Sequence, residues 1–317
     1  MTRVKTRTLA PSPPSGEQFE IQAGDHRAVV TEVGATLRSY TVDGHDVVDG
    51  FPVDETSAAG RGQVLAPWPN RLEDGRYTFE GREGRAAWDE PERRNAIHGL
   101  VRWLRWQSVE RTDRAVELAC ELPPQPAYPW QLGLGIRYEL TPAGMEITAT
   151  ASNGSDAPAP FGIGFHPYLT LGGTAIDDLT LLVPARRTLI GDDRALPAGD
   201  QPVAGTDHDF TAARALEALQ LDTAFTDLVR DIDGLARVRL VTAQDSRSAT
   251  VWMDDTFTHV MVYTGDTLEP EERRRQGIAI EPMTCPPNAF RSGVDVIRLE
   301  PGGAWRGRWG ISVEEGL

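Results

Sequence analysis

Apolar and polar residues alternate with a period of two along most of this chain. Val116, Leu118, Cys120 and Leu122 are interleaved with Ala115, Glu117, Ala119 and Glu121. Ile136, Tyr138 and Leu140 run through Pro142-Ala143-Gly144 into Met145, Ile147 and Ala149. That pattern predicts two strands joined by a tight turn. Ala236-Arg237-Val238-Arg239-Leu240 and His259-Val260-Met261-Val262-Tyr263 alternate too. Trp305, Trp309, Ile311 and Val313 mark one face of a last strand, on which Gly307 predicts close packing or a bulge. Helical periodicity is scarce. Residues 211–219 are expected to form a short helix starting near Asp209 or Thr211. Residues 266–277, rich in Glu and Arg, are expected to form a solvated hairpin loop. Many short strands divided by Gly/Pro turns predict an all-β fold, a large antiparallel sandwich with few short helices.

No linker composition divides the strand-rich body and no repeat of fixed period occurs. Residues 17–317 therefore read as one domain, behind a Pro/Ser-rich lead over 1–16 expected to be disordered. With 317 residues, 40% of them hydrophobic and 25% charged, the chain can bury a large core. Its formal net charge of −15 disfavours nucleic acid and anionic membranes as partners and suits a neutral small molecule. Arg82, Arg85, Arg93 and Arg94 could form a local anion pocket, although solvated loop arginines are the plainer reading. The two cysteines, Cys120 and Cys285, support neither a metal framework nor a disulfide scaffold, and Cys120 reads as a buried small apolar residue. The N-terminal residues lack an apolar signal-peptide region, and no apolar run is long enough to span a bilayer. A cytoplasmic monomer or homodimer is the expectation.

Candidate chemistry sits in a few short motifs. In Phe161-Gly162-Ile163-Gly164-Phe165-His166-Pro167-Tyr168, Pro167 pushes His166 towards an extended backbone and stiffens it at a strand end. An imidazole held there can exchange protons near neutral pH, or it can be a partly buried structural histidine at a turn. Glu281 closes the apolar run Gly277-Ile278-Ala279-Ile280 and precedes Pro282. Partial desolvation would favour its neutral form and make it a better base; a strand-end ion pair is the alternative. No zinc spacing, phosphate loop or Gly-x-Ser-x-Gly elbow is present.

Four further segments complete a pattern. Ala66-Pro67-Trp68-Pro69-Asn70-Arg71 precedes Asp74-Gly75-Arg76-Tyr77-Thr78-Phe79-Glu80-Gly81, then Asn95-Ala96-Ile97-His98-Gly99-Leu100, and later Leu221-Asp222-Thr223-Ala224-Phe225. With Phe165-His166-Pro167-Tyr168 and Ile278-Ala279-Ile280-Glu281-Pro282-Met283-Thr284, these resemble the aldose 1-epimerase (mutarotase) family in residue type and order, from about Gln18 to near the C-terminus. The resemblance implies a galactose mutarotase-like β-sandwich with a sugar site in a cleft on one sheet. It also implies cofactor-free, metal-free interconversion of the α and β anomers of a free aldohexose. By resemblance Glu281 is the general base and His166 the acid that protonates the ring oxygen. His98, Arg71 and Asp222 bind sugar hydroxyls. Asn70 is a further substrate-binding candidate whose plainer role is to hold the loop, and Trp68 either stacks on the pyranose or anchors a turn. One base and one acid across a pyranose should stand on the order of 5–8 Å apart.

The Pro67-Trp68-Pro69-Asn70 and Phe165-His166-Pro167-Tyr168-Leu169 forms resemble a bacterial subgroup of shorter mutarotase-like proteins, so the sugar does not carry over with the reaction. An epimerase of 6-phosphorylated or sulfonated hexoses and a non-catalytic sugar-binding module are the rival readings.

Overall fold

The computed structural model describes residues 12–242 and 247–315. Two large antiparallel sheets face each other across one core. Among the described residues the larger sheet has twelve strands. Its main path runs Gln18–Ala23, His26–Thr31, Leu37–Val42, His45–Val48, Tyr168–Leu169, Ile278–Met283, His259–Tyr263, Asp222–Leu228, Ala185–Gly191 and Pro197–Pro202. The smaller has nine, with Leu132–Thr141, Gly144–Asn153 and Ala304–Glu315 at its centre. The only α-helix among the described residues is Ala289–Ser292.

The expected all-β sandwich is therefore what forms, and period two explains it. Leu132–Thr141 alternates buried and half-buried at every position. Its partner Gly144–Asn153 pairs with it in register from Leu132↔Asn153 to Thr141↔Gly144, closing the Pro142-Ala143 turn. Side chains on successive residues point to opposite faces, so Leu132, Leu134, Ile136, Tyr138 and Leu140 all enter the core. There they join Tyr40, Phe225, Val260, Val262, Ile278 and Ile280 from the other sheet. Each fully buried large apolar side chain contributes roughly 1.5–3 kcal/mol. At Gly307 the register with Ala149 is unbroken and an added Cβ would lie 2.6 Å from the Trp305 ring, so close packing, not a bulge, requires the glycine.

Two local expectations are corrected. Residues 211–219 form no helix. Arg214–Ala215 is an edge strand on Leu179–Leu182, and turns follow it, with Glu217 at φ +41°. Pairing to the sheet edge satisfies this backbone better than one isolated helical turn would. Residues 266–277 are not a merely solvated hairpin. Arg275 ion-pairs with Asp177 and Asp266 and donates to the Leu219 carbonyl, while Arg273 holds Asp49, so the segment is fastened down as a rim. Of the lead, residues 1–11 lie outside the described residues. Residues 13–16 close a turn through Gly16 N–H to the Pro13 carbonyl, and Ser15 is buried with its carbonyl accepting from Val33.

His259 packs in the interior with Nδ1 on the Thr258 hydroxyl and Nε2 3.7 Å from Asp295. Burial pushes its imidazole down to about 4, with Asp295 opposing. The unfolded imidazole takes a proton near 6.5. Between these values the unfolded chain binds more protons, so stability falls as pH drops from about 6.5 to about 4. His259→Gln should lose less stability between pH 7 and pH 4.5 than the wild type in parallel denaturant titrations. Equal losses would contradict this.

Candidate functional site

The outer face of the larger sheet forms the floor of the site. Ile278–Met283 is buried at every position. Ile278 and Ile280 face the core, so Ala279, Glu281 and Met283 face the other way. Register then aligns neighbours: Tyr168↔Ala279, Ala279↔Tyr263 and Tyr263↔Asp222 form one row, and Glu281↔Met261↔Ala224 the next. His166 precedes this floor by two residues and stacks on Tyr168, ring centroids 5.0 Å apart at 18°. Its backbone is tied at both ends, N–H to the Gln63 carbonyl and C=O to Gly62 N–H. Residues 57–63 wrap this ring from outside. Tyr168 donates to the Ala59 carbonyl, and the Arg61 guanidinium lies over the Tyr168 ring while pairing with Asp49.

The opposite wall comes from a small two-stranded sheet, Arg71–Glu73 on Asn95–Ile97. Asn70 sits at φ +55° and His98 at φ +63°, a conformation Asn and His tolerate better than most residues. The two lock each other: His98 N–H donates to the Asn70 carbonyl, and Asn70 N–H donates to His98 Nδ1 at 3.2 Å. With Nδ1 accepting, the neutral imidazole carries its proton on Nε2. The Asn70 Oδ1 accepts from Arg71 N–H, so the Asn70 side chain also braces the loop. Arg71 lays its fork on both oxygens of Glu90 and lies 3.6 Å from Asp222.

Floor and wall together enclose one cleft of about 740 Å³. Glu281, His166, His98, Arg71, Asp222 and Asn70, proposed from motifs spread over 212 positions of sequence (281 − 70 + 1), all reach it. Trp68 does not. It is buried among Tyr77 and Phe290, with centroid distances of 6.4 and 5.5 Å, so it anchors the loop from behind. Its apolar area is worth more in that aromatic cluster than at a wet surface.

The expected gap between acid and base is also corrected. His166 Nε2 and Glu281 Oε1 are 3.3 Å apart, in contact rather than on opposite sides of a ring. The physical reason is register: Gly164↔Met283 and Tyr168↔Ala279 pair across the same two segments, which sets His166 level with Glu281. Glu281 Oε2 is buried with no partner.

Electrostatics favours neutral forms here. Burial holds the Glu281 carboxyl well above the usual range, helped by the nearby Asp222 carboxylate and opposed by Arg71. Burial pushes His166 down to about 3, and it pushes His98 well below its ordinary value, with the neighbouring His166 adding to the effect. Glu90 is held below its usual range: burial would raise it, but the Arg71 fork, Asn95 and Arg93 outweigh that. The two cysteines are pushed up by burial, to about 11 for Cys120 and about 12 for Cys285, so neither is a ready thiolate. Cys120 is half-buried rather than buried.

Of the arginine cluster only Arg93 reaches the cleft, and it pairs with Glu90 at 3.0 Å. Arg82 and Arg85 are exposed on the hairpin Arg76–Phe79/Arg82–Arg85. Sequence reasoning missed Glu90, Arg102, Trp103 and Tyr263 on the cleft walls. Tyr263 was discoverable, since alternation puts it on the same face as Met261; Glu90 was masked by the arginines around it.

Comparison with known proteins gives the chain's family and fold. The family model described as aldose 1-epimerase matches residues 17–312. The uncharacterized protein YihR of Escherichia coli (strain K12) is 35% identical over 289 residues, 91% of this chain and 90% of its own length. The aldose 1-epimerase of the same organism is 29% identical over 220 residues, 66% of this chain and 62% of its own. Among solved structures, the GalM/aldose epimerase homologue from C. elegans superposes with a TM-score of 0.85 at 19% identity, over 95% of this chain and 99% of that one. The galactose 1-epimerase from Lactobacillus acidophilus NCFM gives 0.77 at 21%, over 92% of each. The fold is galactose mutarotase-like, and the chain belongs to the aldose 1-epimerase family.

Proposed function

We propose that this protein is a cofactor-independent aldose 1-epimerase acting on a free aldohexose, with Glu281 as base and His166 as acid. The observation that carries this is the 3.3 Å contact between these two buried groups on the floor of a cleft walled by His98, Arg71 and Asp222.

Glu281 takes the proton of the anomeric hydroxyl as His166 gives one to the ring oxygen. The bond from C1 to the ring oxygen breaks and C1 becomes an aldehyde carbon. Rotation about C1–C2 presents its other face, and the reverse proton transfers close the ring as the other anomer. The pair needs one transferable proton. Carboxylate plus imidazolium and carboxylic acid plus neutral imidazole hold the same total, so the pair can change form without exchange with solvent. Ring opening converts the first form to the second, which is the form burial favours at both residues. The ion-paired form that starts ring opening is therefore drawn from the neutral resting pair, and ring opening returns the cost of forming it. His98 offers its Nε2 proton to a sugar oxygen. The Arg71 fork and the Asp222 carboxylate supply donor and acceptor for neighbouring hydroxyls. The chain's one lysine is Lys5, so the described residues offer no amine to trap the open-chain aldehyde as an imine.

Six carboxyl groups and three arginines line the cleft, which favours a neutral sugar. An anionic hexose, 6-phosphorylated or sulfonated, is the second reading, favoured by one observation. Arg102 lines the cleft, and its Nε is buried with no partner although Nη2 is held by Asp89 and the Ile97 carbonyl.

Metal and salt responses test this reading. Turnover should survive exhaustive EDTA treatment, because acid and base carry both proton transfers. KM for a neutral sugar should change little between low and high ionic strength, as no charge pair is screened. Turnover lost with EDTA and restored by one divalent ion would reject the metal-free mechanism. Turnover of anionic sugars alone, with KM rising steeply with salt, would select the second reading.

A further inference from the structure

Trp103 lines the cleft and is 55% exposed. Large aromatic side chains contribute most when buried, so an indole left in the open at the mouth of a polar cleft needs a reason. Fraying is not that reason, because the turn carrying it is pinned on every side. Leu104 N–H returns to the Val101 carbonyl, and Gly34 N–H donates to the Leu104 carbonyl. Gln63 donates to the Arg102 carbonyl, and Arg102 itself is tied to Asp89 and to the Ile97 carbonyl. Val101 and Trp106, which flank the turn, are fully buried. Gly34 lets the turn approach: at φ +75°, its added Cβ would lie 2.4 Å from the Arg102 carbonyl oxygen. Trp103 also lines a small apolar-and-hydroxyl pocket with Phe51, Thr31 and Ser57, so the residue stands between that pocket and the cleft.

We propose that Trp103 is the aromatic wall of the site, on which the apolar C–H face of the bound sugar ring stacks. This deepens the epimerase reading and rests on its assignment of the cleft as the sugar site. A pyranose has one face of axial C–H groups and a rim of hydroxyls. The polar wall of Arg71, Asp222 and His98 reads the rim; of the aromatic rings lining the cleft, Tyr168 is buried and Tyr263 half-buried, and Trp103 is the most exposed. Trp103 supplies the surface for the face. Because stacking on the ring C–H groups makes no contact with the proton transfers at the anomeric hydroxyl and ring oxygen, it acts on binding more than on the chemical step.

The test has two readouts. Trp103→Ala should raise KM about tenfold for the best-turned-over sugar while kcat stays within about twofold, and Trp103→Phe should restore most of the loss. The second readout is independent of turnover. 1,5-Anhydro-D-glucitol and 1,5-anhydro-D-galactitol keep the ring and cannot anomerise. Titrating either into the wild type should change tryptophan emission, and Trp103→Phe should abolish the change. A KM for Trp103→Ala within twofold of wild type overturns the proposal. So does an emission change that persists in Trp103→Phe, or none in either protein. If no sugar is turned over, the epimerase reading fails, while the anhydro-sugar titration still decides whether Trp103 meets a sugar ring.

Discussion

Glu281→Gln and His166→Asn should each lower kcat by on the order of 10²–10⁴-fold, the usual worth of a positioned base or acid. Both variants keep nearly the same shape. Glutamine occupies the Glu281 position without a group that can take up a proton, and asparagine retains hydrogen bonding at His166 without a titratable nitrogen. Because burial already favours the neutral carboxyl at position 281, replacing it with a neutral amide should leave the folded state nearly as stable as wild type, so loss of rate will not be loss of fold. The two groups are in contact, and in the proposed mechanism they share one proton and act as a unit. The double variant should be little slower than the worse single one, as residues of one catalytic unit are non-additive. Near-normal turnover by Glu281→Gln, or fully multiplicative losses in the double variant, would reject the shared-proton mechanism. His98→Asn and Arg71→Ala should alter KM and kcat together, since they orient the ring that the pair acts on.

Gly60→Ala should cost about 10²-fold in kcat without touching any proposed sugar contact. Gly60 has φ +75°, and a Cβ added there would lie 2.6 Å from His166 Cδ2 and 3.1 Å from Nε2. The imidazole is held in place, because it stacks on the Tyr168 ring, which is itself held by the Ala59 carbonyl and Arg61. A methyl at position 60 displaces the acid from that place, and a displacement near 1 Å is enough for a loss of that size. The left-handed backbone adds a stability cost of roughly 1–2 kcal/mol for any L-residue. Gly302→Ala separates the two effects. Gly302 has φ +68° and nothing within 4 Å of its added Cβ, so that variant should show the backbone cost in denaturant titration and wild-type kcat. Equal kcat in Gly60→Ala and wild type would mean that residues 57–63 do not position His166.

What could be read in advance divides along the range of the interactions. Alternation is local, so the strands around Ile136, Ile147, Val238 and Val260 were legible, and so was the sandwich that buries their apolar faces. The six motif residues that meet in the cleft were legible as residue types in order. Their meeting depends on sheet register, which one sequence does not display: Asp222 reaches Glu281 through Tyr263 and Met261 on the strand between them. Trp68 and Trp103 each sit a few residues from a site residue, and nothing local tells the buried one from the exposed one. The difference lies in distant partners, Phe290 behind Trp68 and Gly34 under the turn of Trp103. Gly60 carries no local signature either, since its requirement comes from His166, over a hundred positions later. The helix expected over 211–219 failed for the same reason, because the edge of Leu179–Leu182 claims Arg214–Ala215.

The most direct test of the central claim is saturation-transfer NMR between the α and β anomeric signals of free, 6-phosphorylated and sulfonated hexoses, with wild-type protein and Glu281→Gln side by side. The wild type should speed exchange between the two anomers of at least one hexose, with no other product, and Glu281→Gln should return that exchange close to the spontaneous rate. Exchange at the spontaneous rate for every sugar with the wild type, or equal acceleration by both proteins, would contradict the assignment of Glu281 and His166 as the base and acid of a 1-epimerase.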